Sequence, residues 1–199
     1  MEISHAYLAL TWGGYLALHS LLAANSVKRG FQQILGKGYR WYRLLYSLLA
    51  TAGAGAIFLW GATLPAVRFI PENAVVRLVG LILATYGLLV VRLAFRQYRF
   101  SEFIGLRGHI DDDVATLKVD GVHRYVRHPL YAGLILLFLG YLLFAPTFTN
   151  LVTVACMLLY LSIGIPLEER KLVARFGDAY LEYQQEVPAL IPRRRPSAE

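Results

Sequence analysis

Five long apolar runs constrain this chain more than any other feature, because most of them are long enough to cross a lipid bilayer. A hydrocarbon core about 30 Å thick needs roughly 20 helical residues. The runs are Ile3 to Ala24, Leu44 to Val67, Ala74 to Phe95, Leu130 to Ala145 and Thr147 to Leu167. The fourth is short, so we expect it to continue into the preceding loop or to form a tight hairpin with the fifth. The pattern predicts an all-α protein with about five transmembrane helices.

Composition supports a lipid environment and a single domain. Of the 199 residues, 57% are hydrophobic and only 17% are charged, whereas soluble domains carry about a quarter charged residues. We expect one membrane-embedded domain over residues 1–199, with a three-helix part at 1–96 and a second part at 97–192. Gly53, Gly55 and Gly61 in the second run favour close helix contacts.

The basic residues lie mainly between the apolar runs. The chain has 20 Lys and Arg against 13 Asp and Glu, and residues 25–43 contain five basic residues and no acid. Because basic loops stay in the cytoplasm, we expect the N-terminus outside and a C-terminal cytoplasmic helix at 168–186, in a bacterial inner membrane. Contact with anionic lipid accounts for this charge, so nucleic acid is not an expected partner. The single cysteine, Cys156, excludes an intrachain disulfide and a Cys-rich metal site.

Two polar constellations are the candidate functional elements, and both are predicted on the same membrane face. The first is GVHRYVRHPLYAG at residues 121–133, where Pro129 suits a first helical turn. Arg127 in this segment has the geometry to bind a carboxylate through two bonds. The second starts with Glu168 and Glu169 after Pro166 and continues through a predicted helix.

Structural interpretations of the same residues stay open. Arg127 and His128 at a membrane boundary are also typical of headgroup contacts, and two acids at a helix start also cap its dipole. Tyr180 and Tyr183 are interpreted as interfacial aromatic residues. Three consecutive acids at 111–113 indicate a solvated loop or a cap, and no metal site is predicted.

Taken together, GVHRYVRHPLYAG and EERKLVARFGDAYLEYQQEVPALIP resemble the integral membrane methyltransferases that act on isoprenylcysteine carboxylates and phospholipids. The N-terminal half is more similar to the NnrU and methanethiol S-methyltransferase branch. The resemblance implies S-adenosylmethionine as cofactor and a small or lipophilic methyl acceptor: a thiol, an amine headgroup or a carboxylate. It implies cofactor contacts from Ala115, Thr116, Leu117, Lys118, His123, His128, Pro129, Leu130, Tyr131 and Glu168. Arg127 would orient the cofactor carboxylate or the loop, and Glu169 would contact substrate or accept its proton.

The sequence departs from the family pattern at two positions, and two other functions are alternatives. His123 stands where the family usually has tyrosine, and Gly164 stands where isoprenylcysteine enzymes carry an arginine, which disfavours a prenylated protein substrate. One alternative is an NADPH-dependent membrane reductase of the sterol type, although Leu130 stands where those enzymes favour asparagine. The other is a non-enzymatic membrane protein whose charges only fix topology.

Overall fold

A computed structural model of the protein describes residues 3–96, 117 and 119–192. The predicted contacts at Ala115, Thr116 and Lys118, and the acids at 111–113, lie outside the described residues. Within them the structure is helical, with one isolated bridge between Arg68 and Thr147. The α-helices are α1 (Ile3–Ala23), α2 (Asn25–Leu35), α3 (Tyr42–Thr63), α4 (Ala74–Phe95), α5 (Pro129–Phe144), α6 (Phe148–Phe176) and α7 (Asp178–Glu186), and the 3-10 helices are Gly36–Trp41 and Gly121–Arg124.

Three segments are long and apolar enough to cross a membrane, namely Asn25–Thr63, Ala74–Phe95 and Phe148–Phe176. The helix Pro129–Phe144 is apolar but shorter. The all-helical expectation is thus confirmed for the described residues, and these segments indicate an integral membrane protein. The count of five spans stays a prediction.

Helix α6 corrects the expected boundary at Pro166. The sequence predicts a new helix beginning after this proline and running from 168 to 186, but α6 continues through Pro166 to Phe176. An interior proline removes one backbone hydrogen bond, and membrane helices tolerate that loss. The break falls instead at Gly177, whose φ of +56° suits glycine. Glu168 and Glu169 therefore lie on a long continuous helix and do not begin a new one.

The chain divides into two compact units, and the N-terminal unit contains described residues 3–74 and 145–157. In it, α1 contacts α3 through aromatic side chains. The Tyr15 hydroxyl donates to the carbonyl of Ala50 at 2.7 Å, and the Tyr46 hydroxyl lies 3.0 Å from the ring nitrogens of His19. Trp12, fully buried, donates to the Thr153 hydroxyl at 3.2 Å.

The C-terminal unit contains described residues 75–96, 117, 119–144 and 158–192. Here α4 and α5 meet backbone to backbone at four glycines. A Cβ added at Gly80 would lie 2.8 Å from the carbonyl oxygen of Gly140, and one at Gly87 would lie 2.7 Å from that of Gly133. Only glycine permits this approach, so the pairs fix where α5 starts relative to α4.

We call the four glycines of α4 and α5 the glycine seam. The α3 glycines that the sequence predicted to make close contacts approach their neighbours less closely. A Cβ at Gly53 would meet the Tyr15 ring at 3.0 Å, and one at Gly61 would make only ordinary contacts. At Gly55 an added Cβ would meet no atom of the described residues within 4 Å. The close-contact expectation is therefore wrong for Gly55. The seven-residue spacing of the α4 and α5 glycines was the signal that the sequence reading missed.

Candidate functional site

The loop before α5 is fixed to the chain segment that follows α7. The Arg127 N–H donates to the carbonyl of Pro188 at 2.9 Å, and the His128 N–H donates to that of Ala189 at 2.9 Å. These bonds join residues about 60 positions apart, all within the C-terminal unit. We call residues 126–128 and 187–189 the clasp. Sequence reasoning did not find this pairing, because two short irregular segments carry no periodic pattern.

The Arg127 side chain is held entirely by protein groups. Its Nε donates to Glu169 Oε1 at 2.8 Å, and its Nη2 lies 2.7 Å from the same oxygen. Its Nη1 donates to the carbonyls of Gln184, at 2.9 Å, and Val187, at 2.5 Å. The guanidinium thus ties the loop before α5 to α6 and to the end of α7. This side chain is only 12% exposed.

Glu169 has both carboxylate oxygens engaged. In addition to Arg127, His128 places Nε2 at 3.0 Å from Oε1, and the Gln184 amide donates to Oε2 at 3.1 Å. Charge-assisted bonds of this kind are roughly twice as strong as neutral ones. Glu169 is therefore the centre of a network that joins three segments of the C-terminal unit.

Glu168, its neighbour on α6, has a different environment. Its Oε2 accepts a hydrogen bond of 2.5 Å from the Tyr131 hydroxyl. Its Oε1 accepts no bond from any described residue. The Tyr131 ring in turn stacks on His128, with ring centroids 5.5 Å apart. The structure therefore offers one half-buried carboxylate, oriented by a tyrosine, with an oxygen available to a ligand.

A small aromatic core supports this site from α7. Tyr180, Tyr183 and Val187 are buried and form a cluster against which Leu117 and Val119 pack. The interpretation of both tyrosines as interfacial residues is wrong, since they are 1% and 7% exposed. Their spacing of three and then four residues to Val187 marks one apolar helical face. That periodicity was the available signal.

Tyr180 carries a buried hydroxyl that finds no hydrogen-bond partner among the described residues. Burial, followed by the negative charge of Glu169, raises the pKa of Tyr180 to about 12. The phenol is therefore neutral at physiological pH and is able to donate a hydrogen bond. Buried polar groups without partners are rare and are often completed by water or a ligand.

His123 holds the loop from its other end. Its Nδ1 lies 3.1 Å from the carbonyl oxygen of Arg127, so this nitrogen carries the proton that is donated. Its own carbonyl accepts a 2.7 Å bond from the Tyr183 hydroxyl. Burial lowers the pKa of His123, and the bond to Arg127 opposes that shift only in part. The ring is thus engaged in stabilising the loop.

The structure brings together most of the site residues expected from the sequence. Arg127, His128, Tyr131, Glu168 and Glu169 are linked by the contacts above. Pro129 and Leu130 occupy the first turn of α5, as expected for the proline. Leu117 packs into the aromatic cluster. Among the described residues no group of three or more His, Cys, Asp or Glu side chains is placed to hold a metal ion.

Three relatives align with different lengths of this chain. Methanethiol S-methyltransferase 1 of Bradyrhizobium diazoefficiens is 31% identical over 185 residues, which cover 89% of this chain and 63% of that protein. Methanethiol S-methyltransferase of Crocosphaera subtropica is 27% identical over 186 residues, or 90% of this chain and 71% of its own length. Protein-S-isoprenylcysteine O-methyltransferase of Schizosaccharomyces pombe is 34% identical over 94 residues, 47% of this chain and 39% of that protein. The chain thus spans less than two thirds of the first of these relatives.

No solved structure matches the chain significantly. The family profile described as phospholipid methyltransferase matches residues 75–179. That range contains the glycine seam of α4 and α5 and every side chain of the Arg127, His128, Tyr131, Glu168 and Glu169 cluster. It covers more than half of the chain, which therefore belongs to the phospholipid methyltransferase family.

Proposed function

We propose that this protein transfers a methyl group from S-adenosylmethionine to a small thiol at the membrane. The observation that carries the proposal is Glu168 Oε1, which accepts no hydrogen bond from a described residue. It lies beside a loop that is hydrogen-bonded to α6, to α7 and to the segment after α7. S-adenosylmethionine bears an ammonium group, for which an oriented carboxylate is a suitable partner. Family membership favours this reaction over the NADPH-dependent reduction considered from sequence.

The residues present fit the amino-acid end of that cofactor. Glu168 would accept hydrogen bonds from the ammonium, with Tyr131 fixing the carboxylate. The Tyr180 hydroxyl would supply a neutral donor, and it lies close enough to Glu168 and Glu169 for their charges to raise its pKa. His128, Pro129 and Leu130 would complete the wall of the pocket at the start of α5.

For Arg127 and Glu169 the contacts support a positioning role. The resemblance implied that Arg127 orients either the cofactor carboxylate or the loop itself, and that Glu169 contacts substrate or accepts its proton. Both side chains are instead engaged with each other and with His128, Gln184 and Val187. We therefore propose that the pair fixes the loop carrying His128 and Tyr131 against α6.

Methyl transfer from a sulfonium requires little of the protein beyond a rigid site. When bound, S-adenosylmethionine supplies an activated methyl group that leaves its sulfonium without acid catalysis. Transfer of that methyl group to a thiol would yield a thioether and S-adenosylhomocysteine, with the thiol proton released to water. The protein's own contribution is alignment of the two reactants and exclusion of water. A locked loop and an apolar helix start provide both.

A small thiol is favoured as acceptor by the extent of the alignments. Two relatives named for methanethiol align over 89% and 90% of this chain, whereas the isoprenylcysteine relative aligns over 47%. Gly164 also leaves no cation at the position expected to engage a prenylcysteine. A panel of methanethiol, a prenylcysteine analogue and phosphatidylethanolamine, each with S-adenosylmethionine labelled in its methyl group, tests this. We expect label in the volatile thioether; transfer only to a lipid or a prenylated acceptor would overturn the thiol assignment.

Calorimetry with S-adenosylhomocysteine tests the cofactor directly on the purified, detergent-solubilised protein. We expect saturable binding in the micromolar range or below. A folded protein that releases no binding heat and retains no nucleotide at high micromolar ligand would contradict the proposed function as a whole.

The adjacent glutamates provide a matched pair of variants. Glu168→Gln should weaken binding by roughly tenfold to a hundredfold, the equivalent of about 1.5–3 kcal/mol for a charge-assisted bond, with little change in thermal stability. Glu169→Gln should instead lower the thermal midpoint, because it breaks the Arg127 network. Glu182→Gln, an exposed carboxylate on α7, is the control and should change neither quantity. Unchanged affinity in Glu168→Gln would remove Glu168 from the site.

We also propose that the site faces the cytoplasm, because the basic segments between apolar runs favour that side. Single cysteines at Lys37 and at Glu72, in a chain with Cys156 replaced, test the orientation with a membrane-impermeant maleimide on intact cells. Glu72 should label from outside and Lys37 should not. The reverse pattern would invert the topology.

A further inference from the structure

A separate apolar cavity, open to the surface, lies in the N-terminal unit, between α2, the 3-10 helix Gly36–Trp41 and α3. Its volume is about 530 Å³, within the range of small-molecule pockets. The side chains that line it include Leu22, Phe31, Leu35, Trp41, Leu45 and Leu49. The lining therefore suits a flexible apolar chain.

The polar groups of the two lining tyrosines are already engaged within the protein. The Tyr42 hydroxyl donates to the carbonyl of Leu22 at 2.7 Å, and the Tyr46 hydroxyl contacts the His19 ring. Phe31 packs on Tyr42 with ring centroids 5.1 Å apart. A polar ligand entering the cavity would lose water and gain little from these groups. The lining therefore disfavours a sugar as the occupant.

The chain segment that forms part of the cavity wall is basic in sequence. Residues 25–43 contain Lys28, Arg29, Lys37, Arg40 and Arg43 and no acidic residue. Lys37 and Arg40 are exposed and lie in the 3-10 helix that forms one wall. Arg40 is stacked over the ring of Trp41, a lining residue, at 5.4 Å. A cation is thus fixed directly beside the apolar cavity.

Helix α2 has the form of a helix that lies in the membrane interface. Its apolar face contains Val27, Phe31 and Ile34, whereas Arg29 and Gln33 lie on the polar face. Ile34 and Leu35 are 80% and 44% exposed, which is unfavourable in water but suits the boundary between headgroups and acyl chains. A basic amphipathic helix of this type binds anionic lipid surfaces.

We propose that this cavity binds an anionic phospholipid, with one acyl chain against Phe31, Leu45 and Leu49 and the phosphate on Lys37 and Arg40. The apolar lining accounts for the tail, and the exposed Lys37 and Arg40 account for the negative headgroup. Neither feature alone selects this ligand, but their direct contact through Arg40 and Trp41 does. The site does not depend on the proposed methyl transfer, since all of its residues lie in the N-terminal unit.

Native mass spectrometry of the full-length protein tests the proposal with three probes: dioleoyl phosphatidylglycerol, dioleoyl phosphatidylcholine and glycerol phosphate. We expect one retained phosphatidylglycerol, bound at least tenfold more tightly than phosphatidylcholine, and no retention of glycerol phosphate. Equal affinity for the two phospholipids would overturn the role of charge. Equal retention of glycerol phosphate would overturn the role of the cavity and leave only a phosphate site.

Variants separate the two halves of the site. The double change Lys37→Gln and Arg40→Gln should weaken phosphatidylglycerol binding roughly thirtyfold, because each basic side chain near an anionic lipid contributes about a fivefold factor. The matched control is Arg68→Gln with Arg175→Gln, two exposed arginines elsewhere, and it should leave binding unchanged. An equal loss in both double variants would contradict the proposal.

The cavity is tested by filling it while the charges are kept. Gly38→Leu has room for its Cβ, whose nearest neighbour lies at 3.9 Å, and its side chain should occupy the tail site. Leu45→Trp on α3 is a second filling change. Both should abolish the tight binding of phosphatidylglycerol while the thermal midpoint without lipid stays at or above that of the wild type. Retained tight binding in either folded variant would show that the lipid lies elsewhere.

Discussion

The contact between α1 and α3 and the contact between α4 and α5 show two ways of joining apolar helices. In the first, tyrosine hydroxyls reach backbone carbonyls or a histidine ring across the contact. Gly13 and Gly14 there have open space around an added Cβ, within the described residues. In the second, glycine backbones touch, so that no side chain separates the helices.

The difference follows from what the contacts must do. Lipid tails are as apolar as leucine, so helices in a bilayer associate through close packing or hydrogen bonds and gain little from burial alone. Backbone contact permits one register only. The first turn of α5 contains Tyr131, whose hydroxyl donates a hydrogen bond to Glu168. Contacts through side chains leave space between helices, and the N-terminal unit contains the apolar cavity described above. The closest helix contact thus positions α5, the helix that contains Tyr131 of the candidate site.

Alanine at the seam should give the largest effect. Gly140→Ala places a methyl group 2.4 Å from the backbone nitrogen of Ala84, and Gly87→Ala places one 2.6 Å from that of Leu137. Each should lower the free energy of unfolding by about 1–3 kcal/mol through overpacking. Thermal unfolding in detergent, together with S-adenosylhomocysteine affinity, measures the effect on both stability and the site.

Gly55→Ala in α3 is the control for those variants. It gains helix propensity of up to about 1 kcal/mol without any clash, so stability should stay level or rise. If Gly55→Ala and Gly140→Ala were equally destabilising, the distinction between the two helix contacts would be lost.

A smaller effect is expected for Tyr15→Phe in the N-terminal unit. The change removes the 2.7 Å bond to the carbonyl of Ala50 but keeps the ring against Trp12, 5.7 Å away. The expected loss is about 1 kcal/mol, with unchanged S-adenosylhomocysteine affinity. A loss above that of Gly140→Ala would mean that the hydroxyl contacts, and not the glycines, dominate helix association.

The smallest effect concerns pH and the loop before α5. The folded protein holds the pKa of His123 below its ordinary value of 6.5, so on acidification the unfolded chain takes up the proton first. The free energy of unfolding should therefore be constant above about pH 6.5 and fall below it. Thermal midpoints between pH 8 and pH 5 should show a shallower acid decline in His123→Gln than in the wild type. Parallel pH profiles would exclude His123 as a source of acid sensitivity.

The sequence predicted the helical architecture and the two constellations because both leave local signals. Apolar length indicates helices, and GVHRYVRHPLYAG carries its own family likeness. The residues alone did not distinguish Glu168 from Glu169, because adjacent acids differ only in which partners the tertiary structure gives them. Their separate roles came from the family resemblance. Without the tertiary partners, the sequence also left open whether Arg127 orients the cofactor carboxylate or the loop. Its partners Gln184 and Val187 come from a segment nearly 60 residues later.

The clasp also sets the order in which the protein is completed. Arg127 and His128 obtain their backbone partners only when Pro188 and Ala189 have been synthesised. A product interrupted before this point keeps its apolar helices but lacks the backbone partners of the loop. Completion of the loop before α5 thus requires synthesis past residue 189.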